Sequence, residues 1–418
     1  MHEVAAAQAR AASDFAPVQA IDSVTPGENL DRLARTPGAI LSPSVGLASG
    51  AARPILKRAL NQALRVTGPL LLVAAIVLVV LPLSRPYDAD VFLHAGHAVL
   101  SGLRVYPIPG SPAVYSGSSF VYPYFAVWPF VALAALPSAL GMTIFFALCA
   151  SALIAASLIA ADGDPWPAVF VLCTAFAITG LQLGALSPLL FAGTIFLWRL
   201  RERPVAFALL AAPVLASKLF LVPLLAWLLL ARRYRVFAVA SAFTIALLTV
   251  GFVAGPLDPA QYLQLLSQLG AHEARSGFGL IGALMNAGLA SAAAQPAAAA
   301  LAVALYAAAF IHHRHTRDER VLFCTGIVAS LLVTPVLWSH YLVLLPAALL
   351  VMGAARGWLL VLALGSWALS PPHGAPHAGL IQLGAGCAFA ASLLVFAYTA
   401  HLTRQRSNCA RIASADLV

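Results

Sequence analysis

A short polar stretch follows the first long apolar run of this chain. Residues 85–107, with the sequence RPYDADVFLHAGHAVLSGLRVYP, contain two aspartates, two histidines and two arginines. Asp88 and Asp90 follow Pro86 and precede a predicted helix. A carboxylate at this place can act as a general base that removes a proton from a hydroxyl group. Asp88 can alternatively cap the N-terminus of the helix.

The spacing of Asp90, His94 and His97 places them on one face of that helix. A carboxylate with two imidazoles suits a divalent metal ion such as Mn²⁺ or Zn²⁺. A polar helix face at the membrane interface explains the same spacing and is the preferred interpretation, so no metal or other cofactor is expected. Gly102 is predicted to end the helix. The tyrosines and tryptophan that follow are assigned to an interfacial aromatic belt rather than to a stacking surface.

Lys218 is one of only two lysines in the chain and lies between two apolar segments. A lysine at membrane depth costs about 2.5–3.5 kcal/mol on insertion scales and usually faces a polar cavity or an anion. A lysine that reaches the membrane surface would need a nearby membrane boundary, which this position lacks. Lys218 is therefore interpreted as functional, at the tip of a hairpin that enters and leaves the membrane on one side.

Further ionisable side chains lie in a later polar loop and beside a tryptophan. The set predicted on one side of the membrane carries both signs of charge: Arg85, Asp88, Lys218, His272, Glu273, Arg275 and His340. Transfer of a group from a phosphate needs a carboxylate that removes a hydroxyl proton. It also needs cations that stabilise the charge growing on the phosphate. The set therefore predicts group transfer from a phosphate.

The composition shows which class of protein must position these residues. The chain has 418 residues, of which 61% are hydrophobic and 9% are charged, and its mean hydropathy is +0.90. Soluble domains carry about 25% charged residues. The sequence therefore predicts an all-α polytopic membrane protein. The net charge of +9 is assigned to arginines in cytoplasmic loops, so no nucleic-acid partner is expected.

The apolar runs predict a bundle of about 11–13 membrane helices, some of them broken or re-entrant. The chain is divided into a disordered cytoplasmic tail, a basic amphipathic helix at the membrane interface, a transmembrane domain with two large outer loops, and a cytoplasmic C-terminal tail. These comprise residues 1–52, 53–66, 67–402 (outer loops 84–119 and 255–290) and 403–418.

Arginine clusters set the predicted orientation, because positive charge is enriched on the cytoplasmic side. Both termini are predicted in the cytoplasm and the active site on the outer face of the cell membrane. This orientation requires 166–198 to cross the membrane once as a broken helix and 204–231 to enter and return. Residues 120–137 and 142–161 are predicted as two separate spans.

The order of these features resembles the GT-C glycosyltransferases, and more closely glycosyltransferase family 87, the polyprenyl-phosphate-mannose-dependent mannosyltransferase-like proteins. The resemblance covers roughly residues 67–400. It consists of Asp88 with Phe92, HAGHAVLSG and Tyr106, then VYPYFAVWPFVALAALP, then SKLFLVPLLAWLLLARRYR, and finally WSHYLVLLP. The family usually shows Gly-Gln followed by a small polar residue. This chain has LGALSP there, with Gln182 nearby but out of register.

The resemblance implies an inverting transfer of a hexose, mannose by analogy, at the outer membrane face. The donor would be a polyprenyl-phosphate sugar, the acceptor a lipid or glycan, and membrane lipids would surround the enzyme. Asp88 would be the general base, with Asp90 as the alternative. The resemblance further assigns Lys218, His340 and Arg275 to the donor phosphate, and Glu273, Gln182 and Tyr106 to the acceptor or sugar.

Two other functions remain open from the sequence. A lipid or solute transporter also contains broken helices and buried cations, although the two halves of this chain show no internal similarity. A component of a surface-polysaccharide polymerase would share lipid-linked substrates, but it would be expected to carry more arginine in residues 255–290.

Overall fold

The computed structural model describes residues 86–116, 119–354 and 356–368, together with the single residues 67, 74, 397 and 401. Within this part the chain is entirely helical: it has fifteen α-helices, joined in places by short 3₁₀ segments, and no strands. Three helices are long and apolar enough to cross a membrane, or up to four spans if a bent pair counts as one. The protein is an all-α polytopic membrane protein.

The polar stretch after the first apolar run forms helix α1, Tyr87–Leu100. Pro86 occupies the N-cap position and its carbonyl accepts from the Asp90 amide at 2.8 Å. No side chain caps this helix, so Asp88 does not serve as a cap. Gly102 ends the helix as predicted, with a left-handed φ of 66°, which glycine adopts without steric cost.

The segment between α1 and the first long helix contains no continuous helix of membrane-spanning length. It contains a 3₁₀ turn, Pro112–Tyr115, a second one, Tyr124–Val127, and the seven-residue α2, Trp128–Ala134. Seven residues of helix extend only about 10 Å. The prediction of one continuous membrane helix at 120–137 is therefore wrong. Helix α3, Ser138–Ala160, is the first long apolar helix in the described part.

The next segment folds back on itself. It contains α4, Pro165–Leu172, α5, Ala175–Leu183, and α6, Ser187–Leu200, and α4 and α5 meet at 66°. The Arg199 Nη2 atom lies 2.8 Å from Asp162 Oδ1. Because the two ends of the segment touch, it returns to the side where it began. The prediction that 166–198 crosses the membrane once is wrong.

The hairpin predicted at 204–231 is confirmed. It consists of α7, Pro204–Ser217, the 3₁₀ segment Leu219–Leu225, and α8, Ala226–Leu230. Arg233 follows the hairpin and Glu202 precedes it, and their side chains are 2.7 Å apart. The two ends of the segment therefore meet, and Lys218 occupies the turn between its two arms.

Seven α-helices and two 3₁₀ segments follow in the described part. The α-helices are α9, Tyr234–Ala254, α10, Pro259–Glu273, α11, Leu280–Asn286, α12, Ser291–Thr316, α13, Arg320–Val333, α14, Leu344–Met352, and α15, Arg356–Ala368; the 3₁₀ segments are Ala274–Ser276 and Ser339–Val343. Helices α3, α9 and α12 are the three long candidates for membrane spans. Helix α10 lies in the predicted outer loop 255–290, and Asp258 caps it in a capping box with Gln261.

Several predictions lie outside the described residues. These are the tail 1–52, the interfacial helix 53–66, the C-terminal tail 403–418 and, apart from single positions, the runs 67–83 and 379–401. The predicted count of 11–13 membrane helices and the outer limits of the transmembrane domain therefore stay predictions.

The helices have two chemically distinct ends. At one end, here called the arginine-rich end, the chain reversals carry Arg199, Arg233 and Arg356 with acidic partners. The other end is called the cavity end. Aromatic packing fills the interior between them: the rings of Trp227 and Phe323, both buried, have centroids 4.7 Å apart.

Candidate active site

A cavity of about 760 Å³ opens at the cavity end of the helices. Its wall comes mainly from five parts of the chain: the start of α1, residues 119–122, the segment after α7, one face of α10, and residues 333–341. Val114 and Leu183 add single residues to it. Four ionisable side chains that were selected from the sequence line it together: Asp88, Lys218, Glu273 and His340. The fold thus brings together residues up to about 250 positions apart.

Asp88 lies in the first turn of α1, where the helix dipole favours negative charge. The turn between α5 and α6 packs directly beside it. A Cβ atom on Gly184 would lie 2.5 Å from the Cβ of Ala89, and Gly184 has a left-handed φ of 64°. Burial raises the pKa of the Asp88 carboxyl to about 6, while the charge of Lys218 acts in the opposite direction. A carboxyl with such a pKa suits proton removal near neutral pH.

Lys218 lies in the turn after α7 with its ammonium group over two aromatic rings. The Nζ atom is 4.0 Å from the ring centroid of Tyr122 and 4.9 Å from that of Tyr341. Within the described part of the chain, no ion pair shorter than 4 Å joins this lysine to a carboxylate. Two tyrosine faces hold the cation by cation–π attraction, and the ammonium can still bind an anion in the cavity.

His340 lies in the 3₁₀ segment Ser339–Val343 and is only 3% exposed. Neither nitrogen of its ring has a hydrogen-bond partner among the described residues. Buried polar groups are nearly always hydrogen-bonded. Because His340 also lines the cavity, its free nitrogens are suited to a polar group of a bound ligand.

Glu273 is the last residue of α10 and faces the cavity. Burial raises the pKa of its carboxyl, and the charges of His272 and Lys218 partly offset that effect. Lys218 therefore acts electrostatically on both carboxylates of the cavity. A set of one buried imidazole with two partly buried carboxylates and a partly buried ammonium group can carry out proton transfer and bind a phosphate.

The family model of glycosyltransferase family 87 matches residues 120–337, slightly more than half of the 418 residues. The chain belongs to glycosyltransferase family 87. The GT-C fold expected from the sequence is consistent with this assignment. The enzyme is therefore a glycosyltransferase. No curated protein and no solved structure matches the chain.

The region that matches the family model contains some residues of the cavity and leaves out others. Tyr122, Lys218 and Glu273 lie within residues 120–337, whereas Asp88 and His340 lie outside them. Family membership supports the enzyme class. Asp88 and His340 are connected to the matched region because they line the same cavity.

The alternative base, Asp90, lies on the exposed side of α1 together with His94 and His97. The Nδ1 atom of His94 lies 2.7 Å from the backbone oxygen of Asp90. None of the three lines the cavity. Among the described residues no group of three His, Cys, Asp or Glu side chains is arranged to hold a metal ion.

Three other predicted site residues also lie outside the cavity wall. Arg275 donates from Nη1 to the backbone oxygen of Met285 at 2.9 Å. Tyr106 is buried behind the wall, and its hydroxyl donates to the backbone oxygen of Tyr122 at 2.6 Å. Gln182 is half-buried next to Leu183, which does line the cavity. The structure does not bring these side chains to Asp88 and Lys218.

The sequence analysis missed the tyrosines that hold Lys218. Tyr122 and Tyr341 are both buried, so the assignment of Tyr122 to an interfacial belt is wrong. Both residues occur in the motifs that carry the family resemblance, VYPY and WSHY. That coincidence is the one signal in the sequence that could have placed them at the site.

Proposed function

We propose that this enzyme transfers a hexose, mannose in the first instance, from a polyprenyl-phosphate sugar to a hydroxyl group of a lipid or glycan acceptor. The transfer inverts the configuration at the anomeric carbon. One observation carries the proposal: Asp88, Lys218, His340 and Glu273 line one cavity although they come from four separate segments. Membership of glycosyltransferase family 87 favours this function over transport or polymerase assembly.

Asp88 acts as the general base on the acceptor. Its carboxylate takes the proton of the attacking hydroxyl while the oxygen forms a bond to the anomeric carbon. The bond from that carbon to the phosphate oxygen breaks at the same time, and attack from the opposite face inverts the configuration. Asp90, two residues further on and on the exposed side of the helix, stays the second candidate for this role.

Lys218 and His340 act on the leaving phosphate. The electron pair of the broken bond goes to the polyprenyl phosphate, whose negative charge increases during the step. The ammonium of Lys218 stabilises that charge, which is worth most in a site shielded from water. His340 supplies a ring N–H to a phosphate oxygen, and this satisfies a ring whose nitrogens lack protein partners in the described part of the chain.

The acceptor lies between Asp88 and Glu273, which orients a hydroxyl group toward the base. Arg275, Gln182 and Tyr106 were assigned to the phosphate or sugar by resemblance. In the structure none of the three lines the cavity, so any effect on substrate would be indirect. No metal or other cofactor is part of the proposed reaction.

The arginine-rich end is proposed to face the cytoplasm, since positive charge accumulates on that side. The cavity then opens at the outer face of the cell membrane, where a lipid-linked donor and a lipid or glycan acceptor can both arrive from the bilayer. Both termini would be cytoplasmic in this orientation.

The test uses the full chain in lipid vesicles with labelled polyprenyl-phosphate-mannose and, in parallel, polyprenyl-phosphate-glucose. The expected result is loss of mannose from the donor and formation of an α-linked product, identified by NMR of the anomeric proton. Consumption of the glucose donor instead would mean that the transferred sugar is glucose, and the proposed type of reaction would still hold. If both donors remain intact with every lipid and glycan acceptor offered, the polyprenyl-phosphate donor is wrong.

A further inference from the structure

The side chains that line the cavity carry more negative than fixed positive charge. The ionisable side chains among its described lining residues are two carboxylates, one ammonium, one imidazole and tyrosine hydroxyls, and no arginine. Arg275, which follows Glu273 closely in the chain, is bound to the Met285 carbonyl instead. The cavity therefore contains one more carboxylate than fixed cation.

This inference rests on the proposed function, in which Lys218 binds the donor phosphate. A phosphodiester matches the single fixed positive charge of the cavity. Asp88 and Glu273 then face the acceptor without a cation of their own. Both carboxyl groups are partly buried, and charges interact more strongly in such a site than at an exposed surface.

The carboxylate of Glu273 lies where its charge is energetically unfavourable, and its contribution to the fold does not explain that position. Tyr262, Leu266, Leu269 and Gly270 recur along one face of α10 and line the cavity, and Glu273 completes that face in the last turn. The C-terminal end of a helix carries partial negative charge and favours cations. A carboxylate there is opposed by the helix dipole and by burial, so its place in the wall points to a ligand.

The neighbouring aromatic residues fit a sugar. Tyr87, Tyr122 and Trp338 also line the cavity, and aromatic faces pack against the apolar faces of sugar rings. A carboxylate accepts up to about four hydrogen bonds and donates none when ionised. Glu273 can therefore bind two neighbouring hydroxyl groups, or an ammonium group, but it repels an anion.

We propose that Glu273 makes the acceptor subsite selective by charge: the reacting end of the acceptor is a neutral sugar or an amino sugar, and a uronic acid or other anionic sugar is rejected. The carboxylate orients the acceptor by its hydroxyl groups and, together with Asp88, repels a third negative charge. Negative charge on another part of the acceptor is tolerated when it stays outside the cavity.

The experiment measures transfer from labelled polyprenyl-phosphate-mannose to three octyl glycosides with the same linkage: a mannoside, an amino sugar and a uronic acid. It compares the wild type with Glu273→Gln and Glu273→Asp. Gln264→Glu is the control, because it adds a carboxylate on the exposed side of the same helix. The wild type is expected to prefer the first two glycosides to the uronic acid by about tenfold or more.

Glu273→Gln is expected to reduce this preference about tenfold, while Glu273→Asp and Gln264→Glu keep it. Equal use of the uronic acid by the wild type would overturn the inference, as would an unchanged preference in Glu273→Gln. Loss of donor turnover in the wild type would instead contradict the proposed function. Saturation-transfer NMR of the three head groups, on wild type and Glu273→Gln without donor, decides the charge preference even if Glu273→Gln is inactive.

Discussion

At the arginine-rich end, Arg233 lies between Glu202 and Glu319, at 2.7 Å from each. At the cavity end, Lys218 lies over the rings of Tyr122 and Tyr341. All five ion pairs found in the described residues belong to the arginine-rich end. The ionisable groups of the cavity have no such partners within that part of the chain.

The two ends therefore use charged side chains for different purposes, stability at one end and substrate binding at the other. Paired charges join the chain reversals of neighbouring segments and satisfy each other, so they stabilise the fold. Charges that remain unmatched in a buried cavity cost stability and keep their capacity for a substrate. Four predictions test this division, in order of decreasing effect.

The first concerns the base. Asp88→Asn keeps the shape of the side chain but cannot accept a proton, so transfer is expected to fall by about 10²–10⁴-fold. The measurement is the rate of donor consumption in lipid vesicles. Asp90→Asn, on the exposed side of the same helix, is the matched control and should stay near the wild-type rate. The opposite result would exchange the two roles.

The second concerns the single cation of the cavity wall. Lys218→Ala removes the charge that stabilises the leaving phosphate, and kcat is expected to fall by about 10²–10³-fold. Lys57→Ala removes the only other lysine of the chain and serves as control. A rise in KM with an unchanged kcat would mean that Lys218 only binds the donor.

The third uses pH. The folded pKa of Asp88 is raised to about 6, and a general base must be ionised. The transfer rate should therefore be constant above pH 7 and fall about tenfold per pH unit below 6. The residual rate of Asp88→Asn should lack this decrease. A wild-type profile that stays flat down to pH 4.5 would exclude Asp88 as the titrating base.

The fourth tests the paired end. Arg233 is 19% exposed and Glu319 24% exposed, so Arg233→Met leaves a half-buried Glu319 without this cation, while Glu202 keeps Arg201. It should lower the free energy of unfolding by about 1–3 kcal/mol, measured as thermal stability in detergent, with little change in transfer at low temperature. Arg199→Met breaks a pair whose aspartate is 86% exposed and should cost under about 1 kcal/mol. Equal costs would contradict the difference in burial.

The sequence predicts the charged residues of the cavity better than its aromatic ones. A lone lysine in an apolar segment has few structural uses, which singled out Lys218, and Asp88 stood out in the same way. A tyrosine near a membrane segment usually belongs to the interfacial belt. Apart from its place in the VYPY motif, nothing in the sequence distinguishes Tyr122 from a belt tyrosine; its contact with Lys218 shows that it belongs to the cavity.

The path of the chain was predicted with two errors that compensate. The run 120–137 is too short in helix to cross the membrane, because it is broken into a 3₁₀ turn and α2. The run 166–198 turns back at Gly184. Hydropathy records length and apolar content but not reversal. Correcting the first error removes one change of side and correcting the second adds one, so Arg199 still falls at the end opposite Asp88.

The wall of the cavity also sets an order of events during synthesis. Chains emerge N-terminus first at about 5–20 residues per second, so Asp88 leaves the ribosome many seconds before His340. Lys218 enters the membrane in the interval, before Tyr341 exists to hold it. A nascent chain that stops before Trp338 contains the proposed base Asp88 and the cation Lys218, but it lacks residues 338–341 of the cavity wall. Until the final third of the protein is made, Tyr122 is the one ring of the two that can hold the charged hairpin tip.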